Sequence, residues 1–148
     1  MKSRSDEPAV RPLTPADRHD LVSLYDALTL GPKTARPKQI AEIMAHPGTS
    51  VFGAEVDARV VAMATLHVLP NATFGGRPYA LIENVATEQA FRLRGLGRHV
   101  MQAAINTAWD QNAYKIMLMT GQKRGAQGFY QALGFDSEDK FAMVLRRP

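Results

Sequence analysis

Two glycines, Gly95 and Gly97, fall between an apolar run over 79–87 and an amphipathic stretch over 97–111. A run of nine residues rich in β-branched and apolar side chains reads as a strand. The following stretch places Val100, Met101, Ala104, Ile105 and Ala108 on one face at helical spacing. Glycine at such a junction lets the backbone turn sharply and lets a ligand reach its amides. A second short apolar run over 115–120 predicts another strand, so this part of the chain is constrained to a β-α-β unit.

The segment Arg92-Leu93-Arg94-Gly95-Leu96-Gly97 adds chemistry to that geometry. The helix after it offers unpaired N–H groups and the positive end of its dipole, and Arg92, Arg94 and Arg98 flank it. Such a turn suits a pyrophosphate. A dinucleotide fingerprint would need a third glycine where Val100 stands and an acid within 111–119, where there is none. The lysine and hydroxyl of a nucleoside-triphosphate loop are also missing. On these six residues alone, a plain helix start stays an equal alternative.

Charge distribution favours the anion-binding reading. The chain carries 18 Lys and Arg against 14 Asp and Glu, a net charge of +4. Between positions 89 and 125 the bases are Arg92, Arg94, Arg98, Lys115, Lys123 and Arg124, and the only acid is Asp110. The remainder is nearly balanced, so the excess lies in the segment with the glycines and predicts an anionic partner there.

The rest of the 148 residues supplies a compact frame. Residues 1–8 are polar and are expected to form a disordered tail, with 9–148 as a single domain. Residues 10–13 predict a short strand. Thr14 and Pro15 predict a helix start, continued by Leu21, Leu24, Tyr25 and Leu28 on one face and ended at Gly31-Pro32. Pro37 opens a second helix carrying Ile40, Ile43 and Met44. Strands over 51–56 and 59–69 flank a tight Asp57-Ala58 hairpin. Residues 126–133 predict a short helix stopped by Gly134, and Phe135 onward, with 141–145, the final strand or two. The resulting fold class is α/β with a mixed sheet, in the order β-α-α-β-β-β-α-β-α-β.

The absence of cysteine excludes disulfides, cysteine-based metal sites and a thiol nucleophile. His19, His46, His67 and His99 show no metal spacing, so no metal is expected; His67, in a strand, could line a substrate pocket, but a structural or surface role is the better reading of it. No apolar run approaches the ~20 residues of a membrane helix. The N-terminus lacks the apolar core of a signal peptide, which predicts a cytoplasmic protein with no membrane partner. A nucleic-acid module is suggested by the basic balance alone. No helix carries a continuous basic face and no aromatic–basic interleaving occurs, so no nucleic-acid partner is expected.

A resemblance brings these observations together. Arg92 to Gly97 is similar to the acetyl-CoA motif Gln/Arg-x-x-Gly-x-Gly/Ala of the Gcn5-related N-acetyltransferase (GNAT) family, and it follows a strand, Ala80-Leu81-Ile82-Glu83-Asn84-Val85-Ala86-Thr87, as in that family. Phe129-Tyr130-Gln131-Ala132-Leu133-Gly134-Phe135 is similar to the family's C-terminal Phe-Tyr-x-x-x-Gly-Phe signature. Many members carry Asn where this chain has Lys123.

The resemblance implies acetyl-CoA as co-substrate. It places Arg92, Leu93, Arg94, Gly95, Leu96, Gly97 and Arg98 on the pyrophosphate, and Val85, Ala86 and Thr87 along the pantetheine arm at a point where the central strands splay. It implies Glu83 as base and Tyr130 as acid toward the departing thiolate, with the Val85 amide facing the oxyanion. The structural alternatives are an arginine partner for Glu83 and an aromatic core for Tyr130. The stretches Ile82-Glu83-Asn84-Val85 and Tyr114-Lys115-Ile116 are similar to glucosamine-6-phosphate N-acetyltransferases, which makes an amino sugar phosphate one candidate among small-molecule amines. Family members often dimerise, so a homodimer is expected. A catalytically silent acyl-CoA sensor is the alternative to an enzyme.

Overall fold

A computed structural model describes residues 8–148; the expected disordered tail therefore falls, but for Pro8, outside the described residues. The chain divides into two compact units, Met1–Met117 and Leu118–Pro148.

The first unit is a five-stranded sheet in the order β1-β2-β3-β4-β5. Its strands are β1 (Ala9–Pro12), β2 (Thr49–Val56), β3 (Arg59–Leu69), β4 (Tyr79–Thr87) and β5 (Ile116–Met117). The first four pair antiparallel; β5 joins β4 in parallel. The β2–β3 hairpin turns on Asp57 and Ala58, both at positive φ (49° and 59°), the geometry that matches strand twist in a two-residue loop. Three helices complete this unit: α1 (Arg18–Ala27), α2 (Pro37–Ala45) and α3 (Leu96–Asp110). Arg11 of β1 grips the carboxylates of Asp17 (2.8 Å) and Glu55 (3.0 Å), tying the entry of α1 to the sheet and holding the Asp17 carboxyl below its usual range.

β3 is buried without interruption from Val60 to Leu66, as a sheet covered on both faces requires. On one face Leu21 and Leu24 of α1 and Ile40 of α2 pack with Val51, Val60 and Met63. That cluster contains no residue of α3. α3 packs its own buried row, Leu96, Val100, Met101, Ala104, Ile105 and Ala108, on the other face.

The second unit holds α4 (Gln127–Ala132), ended by Gly134 at φ 99°. The final strand predicted over 141–145 does not form. Phe141, Met143 and Leu145 are almost fully exposed, and no described strand pairs with this segment. An apolar run becomes a strand only where a ladder partner takes its backbone groups. The strand predicted over 115–120 is likewise reduced to two residues.

Candidate active site

β4 is paired on both sides only at its start. Ala80 and Leu81 oppose Ile116 and Met117 of β5, and Ala80 N–H donates to the Lys115 carbonyl (3.0 Å). From Ile82 onward β3 is its only strand partner among the described residues. This is the predicted parting of the central strands. In the same stretch the β3–β4 register slips: Thr65 opposes Glu83, yet Met63 opposes Ala86. Asn84 absorbs the extra residue at φ 52°. Asparagine tolerates the left-handed region better than other residues with a Cβ, so a bulge can sit here at low cost. A bulge re-aims the backbone of Val85, Ala86 and Thr87, the residues expected beside the pantetheine arm.

The chain then turns through the glycine segment. Arg92 Nε donates to the Thr87 carbonyl (3.2 Å), and an Arg94 guanidinium nitrogen donates to the Ala90 carbonyl (3.3 Å). These bonds fold the loop back against the end of β4. Gly95 caps α3 at φ 78°, a conformation that costs a residue with a Cβ roughly 1–2 kcal/mol. Leu93 adopts φ 63° despite its side chain and is fully exposed. The first backbone bond of α3 runs from His99 N–H to the Gly95 carbonyl (3.1 Å). Among the described residues, the amides of 93–98 have no hydrogen-bond partner, and no side chain caps the helix. Six successive free N–H groups at a positive helix end, with Arg92, Arg94 and Arg98 exposed around them, fit a diphosphate.

Residues 18–135 match the Acetyltransferase (GNAT) family. The chain belongs to that family. As a GNAT enzyme it is an N-acetyltransferase, and the family uses acetyl-CoA as co-substrate. It is 28% identical over 135 residues to a glucosamine 6-phosphate N-acetyltransferase of Trypanosoma brucei brucei, spanning 88% of this chain and 90% of the relative. An assigned acetyltransferase of Agrobacterium tumefaciens str. C58 superposes with a TM-score of 0.86 at 40% identity, covering 94% and 99% of the two chains. Glucosamine-6-phosphate N-acetyltransferase from Arabidopsis thaliana shares the fold at 17% identity, with a TM-score of 0.81 and coverage of 95% and 98%.

In this GNAT enzyme Glu83 is half-buried in β4 and has no ion pair or side-chain hydrogen bond among the described residues. Among the described residues it has none of the arginine partners considered from the sequence. Glu83 shares a sheet face with its cross-strand partner Thr65 and with Val51 beyond it, the face that α1 and α2 cover. Two hydroxyls near this face, those of Thr65 and of Tyr25 on α1, are buried and lie against each other, neither completing a well-formed hydrogen bond among the described residues. Burial also pushes the Tyr25 phenol up, so it remains a donor at neutral pH. Neither residue was singled out in the sequence as a polar partner. A threonine inside the apolar run 60–66 was the available signal.

Tyr130 belongs to the second unit. It is half-buried in α4, with its ring edge-on to Phe129 (5.0 Å) and Phe135 (6.3 Å). Lys123 is exposed in a single helical turn before α4. Among the described residues no group of three or more His, Cys, Asp or Glu is arranged to hold a metal, and no helix is long and apolar enough to cross a membrane.

Proposed function

We propose that the protein transfers an acetyl group from acetyl-CoA to the primary amine of a small molecule, by direct attack within a ternary complex. The observation that carries the reading is the row of six unpartnered amides at 93–98, next to a β4 end with only one strand neighbour. In this reading those amides, with Arg92, Leu93, Arg94, Gly95, Leu96, Gly97 and Arg98 around them, hold the pyrophosphate. The backbone of Val85, Ala86 and Thr87 pairs with the pantetheine arm as an added strand would. Bound there, acetyl-CoA supplies an activated thioester carbonyl.

The chain's own groups do the rest. Glu83 takes a proton from the attacking amine, directly or through water. The Val85 amide donates to the oxygen on which charge develops. Tyr130 gives its phenolic proton to the sulfur as the carbon–sulfur bond breaks, and regains one from solvent. No covalent enzyme intermediate is needed, in keeping with a chain that has no cysteine.

An amino sugar phosphate is the substrate class we favour, on the relative from Trypanosoma brucei brucei and on the Ile82-Glu83-Asn84-Val85 stretch. We also propose a cytoplasmic location, on the sequence reading above, and a homodimer, on family habit. The test is a panel of amines, glucosamine 6-phosphate included, assayed for release of free thiol from acetyl-CoA. Turnover with at least one amine is expected. CoA that raises the melting temperature while no amine is acetylated would replace this reading with a silent sensor.

A further inference from the structure

Thr49 opens β2 opposite His67 of β3. Its hydroxyl oxygen lies 2.8 Å from Nδ1 of His67 and 2.9 Å from Nδ1 of His46. Thr49 is 9% exposed, His67 is half-buried, and His46 is exposed. A hydroxyl has one hydrogen and cannot donate to both rings. At least one histidine must therefore carry its proton on Nδ1. His46, in water, is free to take the Nε2–H form that an unconstrained imidazole prefers, and so to accept the Thr49 hydrogen. The Thr49 oxygen then accepts from His67 Nδ1–H. That arrangement fixes His67 with a bare Nε2 lone pair, which is a base.

The sheet register relates this base to Glu83. His67 opposes Leu81 and Thr65 opposes Glu83, so His67 and Glu83 are diagonal neighbours on one face. Such diagonals are about 7–8 Å apart, within reach through a single water. We propose that His67 is a proton relay that clears Glu83 after each turnover, and that Thr49 and His46 are positioning residues that set its tautomer. The proposal rests on Glu83 being the base of the reading above. The Glu83 carboxylic O–H breaks and an N–H forms at His67 Nε2, with water carrying the proton if one intervenes. The imidazolium then returns that proton to solvent, leaving Glu83 as carboxylate and His67 in its starting tautomer.

Nitrogen-15 NMR of the histidine rings in the full chain reads the tautomers without any assay. The expected result is a proton on Nδ1 of His67 and on Nε2 of His46 near neutral pH. A neutral His67 protonated on Nε2 overturns the proposal. Kinetics with the best amine of the panel supply the second arm. His67→Gln and Thr49→Val should each lower kcat about 10-fold, with KM changed less than about twofold. Thr49→Ser, which keeps the hydroxyl, should restore kcat to near the wild-type value. Unchanged kcat in His67→Gln, with the wild type active, overturns the relay and leaves the parent reading standing. A wild type that acetylates no amine removes both.

Discussion

Along β4, Ala80 and Leu81 lie between two strands, whereas from Ile82 to Thr87 β3 is the only strand neighbour among the described residues, with a bulge in the middle. At the start, Ala80 is fully buried and its amide is tied to the Lys115 carbonyl just before β5. Towards the end, Asn84 is exposed at positive φ, and the chain runs on into Leu93 and Gly95 in the same left-handed region. The same strand thus anchors the sheet at one end and offers free backbone at the other. The irregular end costs ladder hydrogen bonds and some dihedral strain, and what it gains is a run of amides available to a ligand. Binding should depend on the irregular end, and stability on the regular one.

The sharpest way to break this division is Gly97→Glu. A carboxylate at the second position of α3 is favourable to the helix dipole, so folding should be retained. In the loop it would repel an anion and occupy its space. Calorimetry should show coenzyme A affinity reduced on the order of 100-fold or more, the loss of several charge-assisted bonds, with an unchanged melting temperature. Near-normal affinity would detach the diphosphate from this turn.

Next in size are the proton-transfer groups. Glu83→Gln, a near-isosteric change at the bulge, should lower kcat on the order of 10²-fold while acetyl-CoA affinity stays within about twofold. Tyr130→Phe should do the same. Undiminished turnover in either variant would remove that residue's role.

The smallest effect tests the bulge itself. Asn84→Val places a β-branched residue at φ 52° and should cost about 1–2 kcal/mol in urea denaturation, with weaker coenzyme A binding. Asn84→Gly suits the same φ and should leave both nearly unchanged. If valine is tolerated as well as glycine, the bulge is not what shapes this end of β4.

What the sequence disclosed divides along similar lines. The bounds of Arg59–Leu69 and Tyr79–Thr87, the hairpin at Asp57-Ala58 and the helix after Gly95 were all legible, because period and turn chemistry are local signals. The turn at Gly95 was legible for the same reason. The bulge was not, since one asparagine in an apolar run leaves the alternation nearly intact. The histidine pair was invisible because His46 and His67 meet only through Thr49 and a cross-strand register. The segment 141–145 misled in the opposite sense. Phe141, Met143 and Leu145 alternate like a strand, but alternation does not supply a neighbour to pair with.

The most direct test of the free-backbone claim is a titration of nitrogen-15-labelled protein with coenzyme A, followed amide by amide. The account predicts that the signals of 93–98 move most, those of Val85, Ala86 and Thr87 next, and those of Ala80 and Leu81 scarcely. Large shifts confined to other parts of the molecule, with 93–98 unmoved, would contradict it.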